Sequence, residues 1–144
     1  MNGCRVFNSK NIPIANSIDT PLTFDTVIFD TDGYFDPSHP SRITCPAGLA
    51  GYHLIIAGTQ WANDNQTHER LAYLRVNGDQ TSGVIMENRE QVSANNMAAL
   101  VVPTIFYLNE GDYVESMAKQ NAGVIVNVIT SLEHTPVFMC ARLG

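Results

Sequence analysis

"AALVVPTIFYLNEGDYVES", residues 98–116, decides the fold of this 144-residue chain. An apolar run contains Pro103, stops at Asn109-Glu110-Gly111-Asp112 and resumes as Tyr113-Val114. The Ala, Met and Leu of "VSANNMAALVV" (92–102) favour helix. Pro103 and the β-rich "TIFYL" after it predict a strand instead, with the proline at a bulge or on a sheet edge. Glu110 and Asp112 flank a glycine, so the cluster reads either as a metal or acid/base site or as a turn between two strands.

The same alternation recurs outward from this stretch. It appears in 5–8, 22–30, 51–61, 70–76, 83–88, 113–119, 123–130 and 136–143, each rich in β-branched or aromatic residues. Turn chemistry separates the runs at "DTDG" (30–33), "DPSHPS" (36–41) and "NGD" (77–79). Spacing of this kind predicts one all-β antiparallel sandwich or barrel over residues 1–144. Three runs do not suit a monomer. "LIIAG" (54–58), "AALVV" (98–102) with "IFYL" (105–108), and "VIV" (124–126) are apolar on both faces. A two-sheet sandwich leaves one face of each strand wet. The simplest cover is a second copy of the chain, which predicts a homo-oligomer joined through one whole sheet.

Composition agrees. Apolar residues make up 44% and charged residues only 15%, which leaves little material for a fully hydrated surface. The length supports one core that buries roughly two-thirds of the unfolded surface. Net charge is −6 and the eight Lys and Arg are scattered, so no nucleic-acid partner is expected. The start "MNGCRVFNSK" lacks an apolar leader, and no run suits a membrane span, so synthesis in a cytoplasm without membrane insertion is expected. The odd cysteine count predicts free thiols at Cys4, Cys45 and Cys140. If the first and last strands pair, Cys4 and Cys140 face each other.

Candidate chemistry is sparse. Asp30, Asp32 and Asp36 offer oxygens at a calcium-like spacing, but Tyr34 and Phe35 occupy positions where an EF-hand needs an oxygen donor and a glycine. An ordinary turn is the simpler reading. His39, His53, His68 and His134 stand apart from metal-type partners; His53, inside a strand, reads as a packing or interface residue. There is no Gly-x-Ser-x-Gly elbow and no glycine-rich phosphate loop, so no enzyme, metal or cofactor is expected; a cupin-type enzyme would need a His/Glu metal set. Trp61, Asn63, Asp64 and Asn65 form a polar loop with an aromatic anchor, a candidate partner site together with 87–96.

"PLTFDTVIFDTDGYFDPSHPSRITCPAGLAGYHLII" (21–56) resembles the opening half of a complement C1q globular domain. The matching residues are Pro21, Phe24, Val27 to Phe29, Phe35-Asp36, Thr44-Cys45-Pro46 and Gly51-Tyr52. "LAYLRVNGD" (71–79) resembles the next strand and its Asn-Gly turn. "AALVVPTIFYLNEGDYVES" resembles an apolar strand, a Gly-Asp turn and a return strand, and "TPVFMCARL" (135–143) resembles the closing strand. The resemblance implies a ten-stranded jelly roll shared with tumour necrosis factor, assembled as a tight trimer around its inner sheet. Tyr52, Leu54, Ile56, Phe106, Leu108 and Phe138 are then expected in the trimer interface, and Glu110 to Asp112 become a hairpin turn. Met139-Cys140, the glycine spacing of "CPAGLAGY" (45–52) and Pro103 depart from the pattern and suggest a remote viral or bacterial member. With no stalk or anchor in view, the expected role is a bacteriophage virion protein that docks on the major capsid protein or caps a fibre. The alternative is a head that recognises a host glycan or protein.

Overall fold

The computed structural model describes residues 1–131 and 135–144. Twelve strands follow one another: β1 (Gly3–Phe7), β2 (Ile12–Ile14), β3 (Thr20–Pro21), β4 (Thr26–Asp30), β5 (Arg42–Thr44), β6 (Gly51–Trp61), β7 (His68–Val76), β8 (Val84–Val92), β9 (Ala98–Leu108), β10 (Tyr113–Gln120), β11 (Val126–Val128) and β12 (Val137–Arg142). No helix occurs among the described residues. Residues 98–102 are strand, and Pro103 sits inside an uninterrupted β9. Three short strands, β2, β3 and β5, lie outside the runs read from the sequence and help raise the number above the ten expected.

The strands form two antiparallel sheets. A seven-stranded sheet runs β2-β11-β6-β12-β1-β4, with β9 on the other side of β6. A five-stranded sheet runs β3-β10-β7-β8, with β5 also paired to β10. First and last strands do pair, and Cys4 lies directly opposite Cys140. The core fills the space between the sheets: Val6, Ile55, Ala57, Leu100, Val102, Leu108 and Phe138 from one, Ala72, Leu74, Val76, Val114 and Ala118 from the other. Phe24 stacks on Phe138 with ring centroids 5.6 Å apart. Each strand contributes every second residue because successive side chains alternate between faces.

The acidic turn after β9 is a clasp. Gly111 has φ +83°, which suits glycine best. Asp112 accepts hydrogen bonds from the Asn109 backbone N–H (2.8 Å) and from the Asn77 side chain (2.8 Å). Glu110 accepts the Gly48 N–H at 2.8 Å. The two carboxylates therefore tie the 109–112 turn to the loops at 45–50 and 77–83. The Asn77 bond leads the contacts that hold the Asp112 carboxyl below its ordinary range. A depressed folded value means the contribution is complete above the ordinary carboxylate range and is lost as pH falls through the depressed value. The stability gap between wild type and Asp112→Asn should therefore narrow between pH 7 and about pH 3. Thermal unfolding at both values measures it, and an unchanged gap would contradict the clasp.

Asp30 does equivalent work at its own turn. Its Oδ1 accepts the N–H groups of Asp32, Gly33 and Tyr34, and its Oδ2 accepts that of Phe35. Four backbone donors occupy the carboxylate that the calcium alternative requires. Asp32 receives Asn2, while Asp36 receives Ser38 and His39 and has its pKa lowered to about 2, chiefly by the Ser38 hydroxyl. No carboxylate, thiol and imidazole cluster among the described residues suits a metal. Asp30 and Asp36 cap their own turns through backbone N–H groups, and Asp32 holds Asn2.

Candidate interaction surface

Alternation that buries one face of the seven-stranded sheet turns the other outward. On β9 the outward set is Ala99, Val101, Pro103, Ile105 and Tyr107. Register extends it across neighbouring strands. Tyr107 lies opposite Tyr52, Ile105 opposite Leu54, Pro103 opposite Ile56, and Val101 opposite Gly58. Met139 of β12 lies opposite Ile56 and, on its other side, Arg5 of β1. Phe7 and Val137 continue the surface. Tyr52 and Ile105 are each 60% exposed, Val101 is 55% and Tyr107 is 47%. The two tyrosines meet edge to face at 5.3 Å. Aromatic and branched apolar side chains thus form one surface over β9, β6 and β12. Covering any one of the large ones is worth about 2 kcal/mol, so the surface favours a cover.

Tyr52, Leu54 and Ile56 lie on this outward face. Phe106, Leu108 and Phe138 do not. Leu108 and Phe138 are fully buried between the sheets, and Phe106 is half-buried against the same core. These three therefore belong to the protomer's interior rather than to an external contact. Both faces of β9 are apolar, so alternation of residue type did not reveal which set points inward. The missed members of the outward face are Val101, Ile105 and Tyr107.

The loop after β6 also differs from expectation. Trp61 is fully buried in the core and cannot serve as an exposed anchor. Asn63 and Asn65 are exposed. Asp64 is turned inward to Arg70, a completely buried guanidinium, with Nη2 3.2 Å from Oδ2. Arg70 Nε donates to His68 Nε2 at 3.1 Å. His68 Nδ1 then carries the proton and donates to the Gln66 carbonyl at 3.1 Å. Asp64 also accepts the Gln66 N–H and offers its own carbonyl to Asn95, which joins the 62–67 and 93–97 loops. Sequence pattern did carry a signal here: Ala72, Leu74 and Val76 point inward, and period two puts His68 and Arg70 on the same side. A second loop pair lies at this end of the sandwich. Ser17 N–H donates to the Gln120 carbonyl and Gly123 N–H to Asn16 Oδ1, leaving Ile18, Val124 and Ile125 exposed.

His53, Tyr34 and the three cysteines are interior. His53 is buried; its Nδ1–H donates to the Gly51 carbonyl (2.9 Å), so Nε2 accepts the Tyr34 hydroxyl (3.2 Å). Burial lowers the His53 pKa and raises that of Tyr34. His53 is a packing residue. Cys4, Cys45 and Cys140 are buried free thiols, and burial pushes Cys140 up to about 12. His39 is an exposed partner of Asp36. His134 lies outside the described residues.

No protein-family model matches the sequence, and no curated protein matches it. Solved structures do. The chain is similar to the globular domain of the zebrafish complement 1qA protein, with a TM-score of 0.68 and 13% identity, covering 100% of this chain and 98% of that one. It is similar to murine APRIL, solved at pH 5.0, with a TM-score of 0.73 and 8% identity, covering 98% of each chain. It is also similar to Eiger TNF from S. frugiperda, with a TM-score of 0.68 and 6% identity, covering 99% of this chain and 92% of that one. The fold is that of the C1q/TNF-like jelly roll.

Proposed function

We propose that the chain is the protomer of a non-enzymatic homotrimer that serves as a virion structural protein, docking on a bacteriophage capsid as a decoration or cement protein or capping a fibre. The observation that carries the self-association is the outward apolar face of β6, β9 and β12. A trimer covers that face with copies of itself and presents threefold symmetry to a threefold or quasi-threefold site. The non-enzymatic reading is supported by the inward placement of His53, Tyr34 and the three thiols, which puts their reactive atoms out of reach of a substrate. Manufacture in a host cytoplasm followed by incorporation into particles completes the reading. Mass spectrometry of purified particles should find the chain in a fixed ratio to the major capsid protein. Absence from particles would overturn it.

One observation favours a second reading, a head that recognises a host-surface glycan or protein. The 15–19, 62–67, 93–97 and 121–125 loops gather at one end, joined in two pairs by hydrogen bonds, a platform that three copies would present together. Saturable binding of the isolated protein to host cells, without incorporation into particles, would select this reading.

A further inference from the structure

Among the described residues β9 is an outer strand of the seven-stranded sheet, paired only with β6. The direction of its backbone groups follows from bonds on the other side of β6. Leu143 N–H donates to the Tyr52 carbonyl and Ile129 N–H to the Gln60 carbonyl, both at 2.8 Å. Even-numbered residues of β6 therefore direct their backbone groups to β12 and β11, and odd-numbered residues direct theirs to β9. Register places Tyr52 opposite Tyr107, Ile56 opposite Pro103 and Gln60 opposite Ala99. Hence the even-numbered residues of β9 bond to β6. Ala99, Val101, Pro103, Ile105 and Tyr107 direct their N–H and C=O groups to the open edge.

An edge of eleven residues with an apolar outer face is a template for strand addition. This one is interrupted at its centre. Pro103 has no N–H, and its ring occupies the place where an incoming carbonyl would sit. One step away, the side-chain amide of Asn88 on β8 donates to the Val101 carbonyl at 3.2 Å. An added strand would leave a carbonyl unpaired opposite Pro103 and would have to displace Asn88. The outward side chains of Val101, Ile105 and Tyr107 lose nothing, because packing a face needs no backbone groups.

We infer that Pro103, with Asn88 beside it, is the specificity-determining residue of self-association: it bars edge-to-edge strand pairing between copies of this chain and confines their contact to side-chain packing on the outward face. A ring built through the outward face keeps one β9 edge per copy, so strand pairing between those edges would link rings into larger species. The inference rests on the self-association reading above, and its test separates the two.

Pro103→Val restores the N–H, and Pro103→Val/Ala99→Pro removes another edge-facing N–H from β9 at a small residue that adds little to the outward surface. Light scattering and thioflavin fluorescence over time compare both variants with wild type. The single variant should place roughly tenfold more of its mass in species larger than the wild-type assembly, the change expected for one restored hydrogen bond per contact. The double variant should return to the wild-type distribution. A single variant that matches wild type, or a double variant that grows as much as the single, would overturn the inference. Pro103→Ala restores the same N–H and replaces the valine variant if that one does not fold. A monomeric wild type would remove the closed trimer, while the variant comparison would still show whether the edge accepts a strand.

Discussion

Ile105→Asp is expected to dissolve the assembly and leave the protomer folded. Ile105 is 60% exposed in the isolated chain and points away from the core. A carboxylate there meets water in the monomer and costs the fold little. In an assembly the same carboxylate would be enclosed among Leu54, Ile56, Pro103 and Tyr107 with no partner. Burying an unpaired charge costs several kcal/mol, and each 1.4 kcal/mol is about a tenfold change in the dissociation constant. A loss of association of at least roughly a hundredfold follows. Phe106→Asp makes the contrast. Phe106 packs against the core, so a charge there should lower thermal stability before it affects association. Sedimentation velocity and thermal unfolding on both variants separate the outcomes. An Ile105→Asp protein with the wild-type mass would show that the outward face is not the contact.

Asp64→Ala should cost about 3 kcal/mol, because it strands a buried cation. Arg70 is fully buried, and among the described residues its carboxylate partner is Asp64, at 3.2 Å. His68 supplies one further acceptor but no negative charge in its present tautomer. At roughly 2–4 °C per kcal/mol for a domain of this size, the midpoint should fall by about 10 °C. Asn63→Ala, one residue away and exposed, should shift it by no more than about 1–2 °C. Removing both charges with Asp64→Ala/Arg70→Met should recover most of the loss, since an apolar replacement of a buried pair is often neutral. A single Asp64 variant as stable as the Asn63 variant would mean that Arg70 is compensated in another way.

The fold class was legible because the chain's alternation is strong and its punctuation regular. The run at 98–108 read correctly as strand because Pro103 could be accommodated on an edge, and β9 is an edge. The three-residue β2 and β5 and the two-residue β3 were not legible: they are too short for periodicity to register, and long-range pairing defines them; β11 fell inside the run read at 123–130. The oligomer surface was half legible. Apolar residues on both faces of β6 and β9 announced a second buried layer, yet the same property hid which parity faced the core, so Phe106 and Leu108 were placed outward. Phe138 was misplaced through resemblance, and its partner Phe24 lies far away in sequence. Trp61 looked like a loop anchor because polar residues follow it, but it is the last residue of β6 and keeps that strand's inward parity. Arg70 escaped because its carboxylate lies six residues upstream, across a loop.

The solution mass of the purified protein, measured by light scattering at low concentration, tests the central claim most directly. A mass near three times the 15.8 kDa of one chain is predicted. A well-behaved monomer would contradict it and would mean that the face carrying Tyr52, Val101, Ile105 and Tyr107 stays in water.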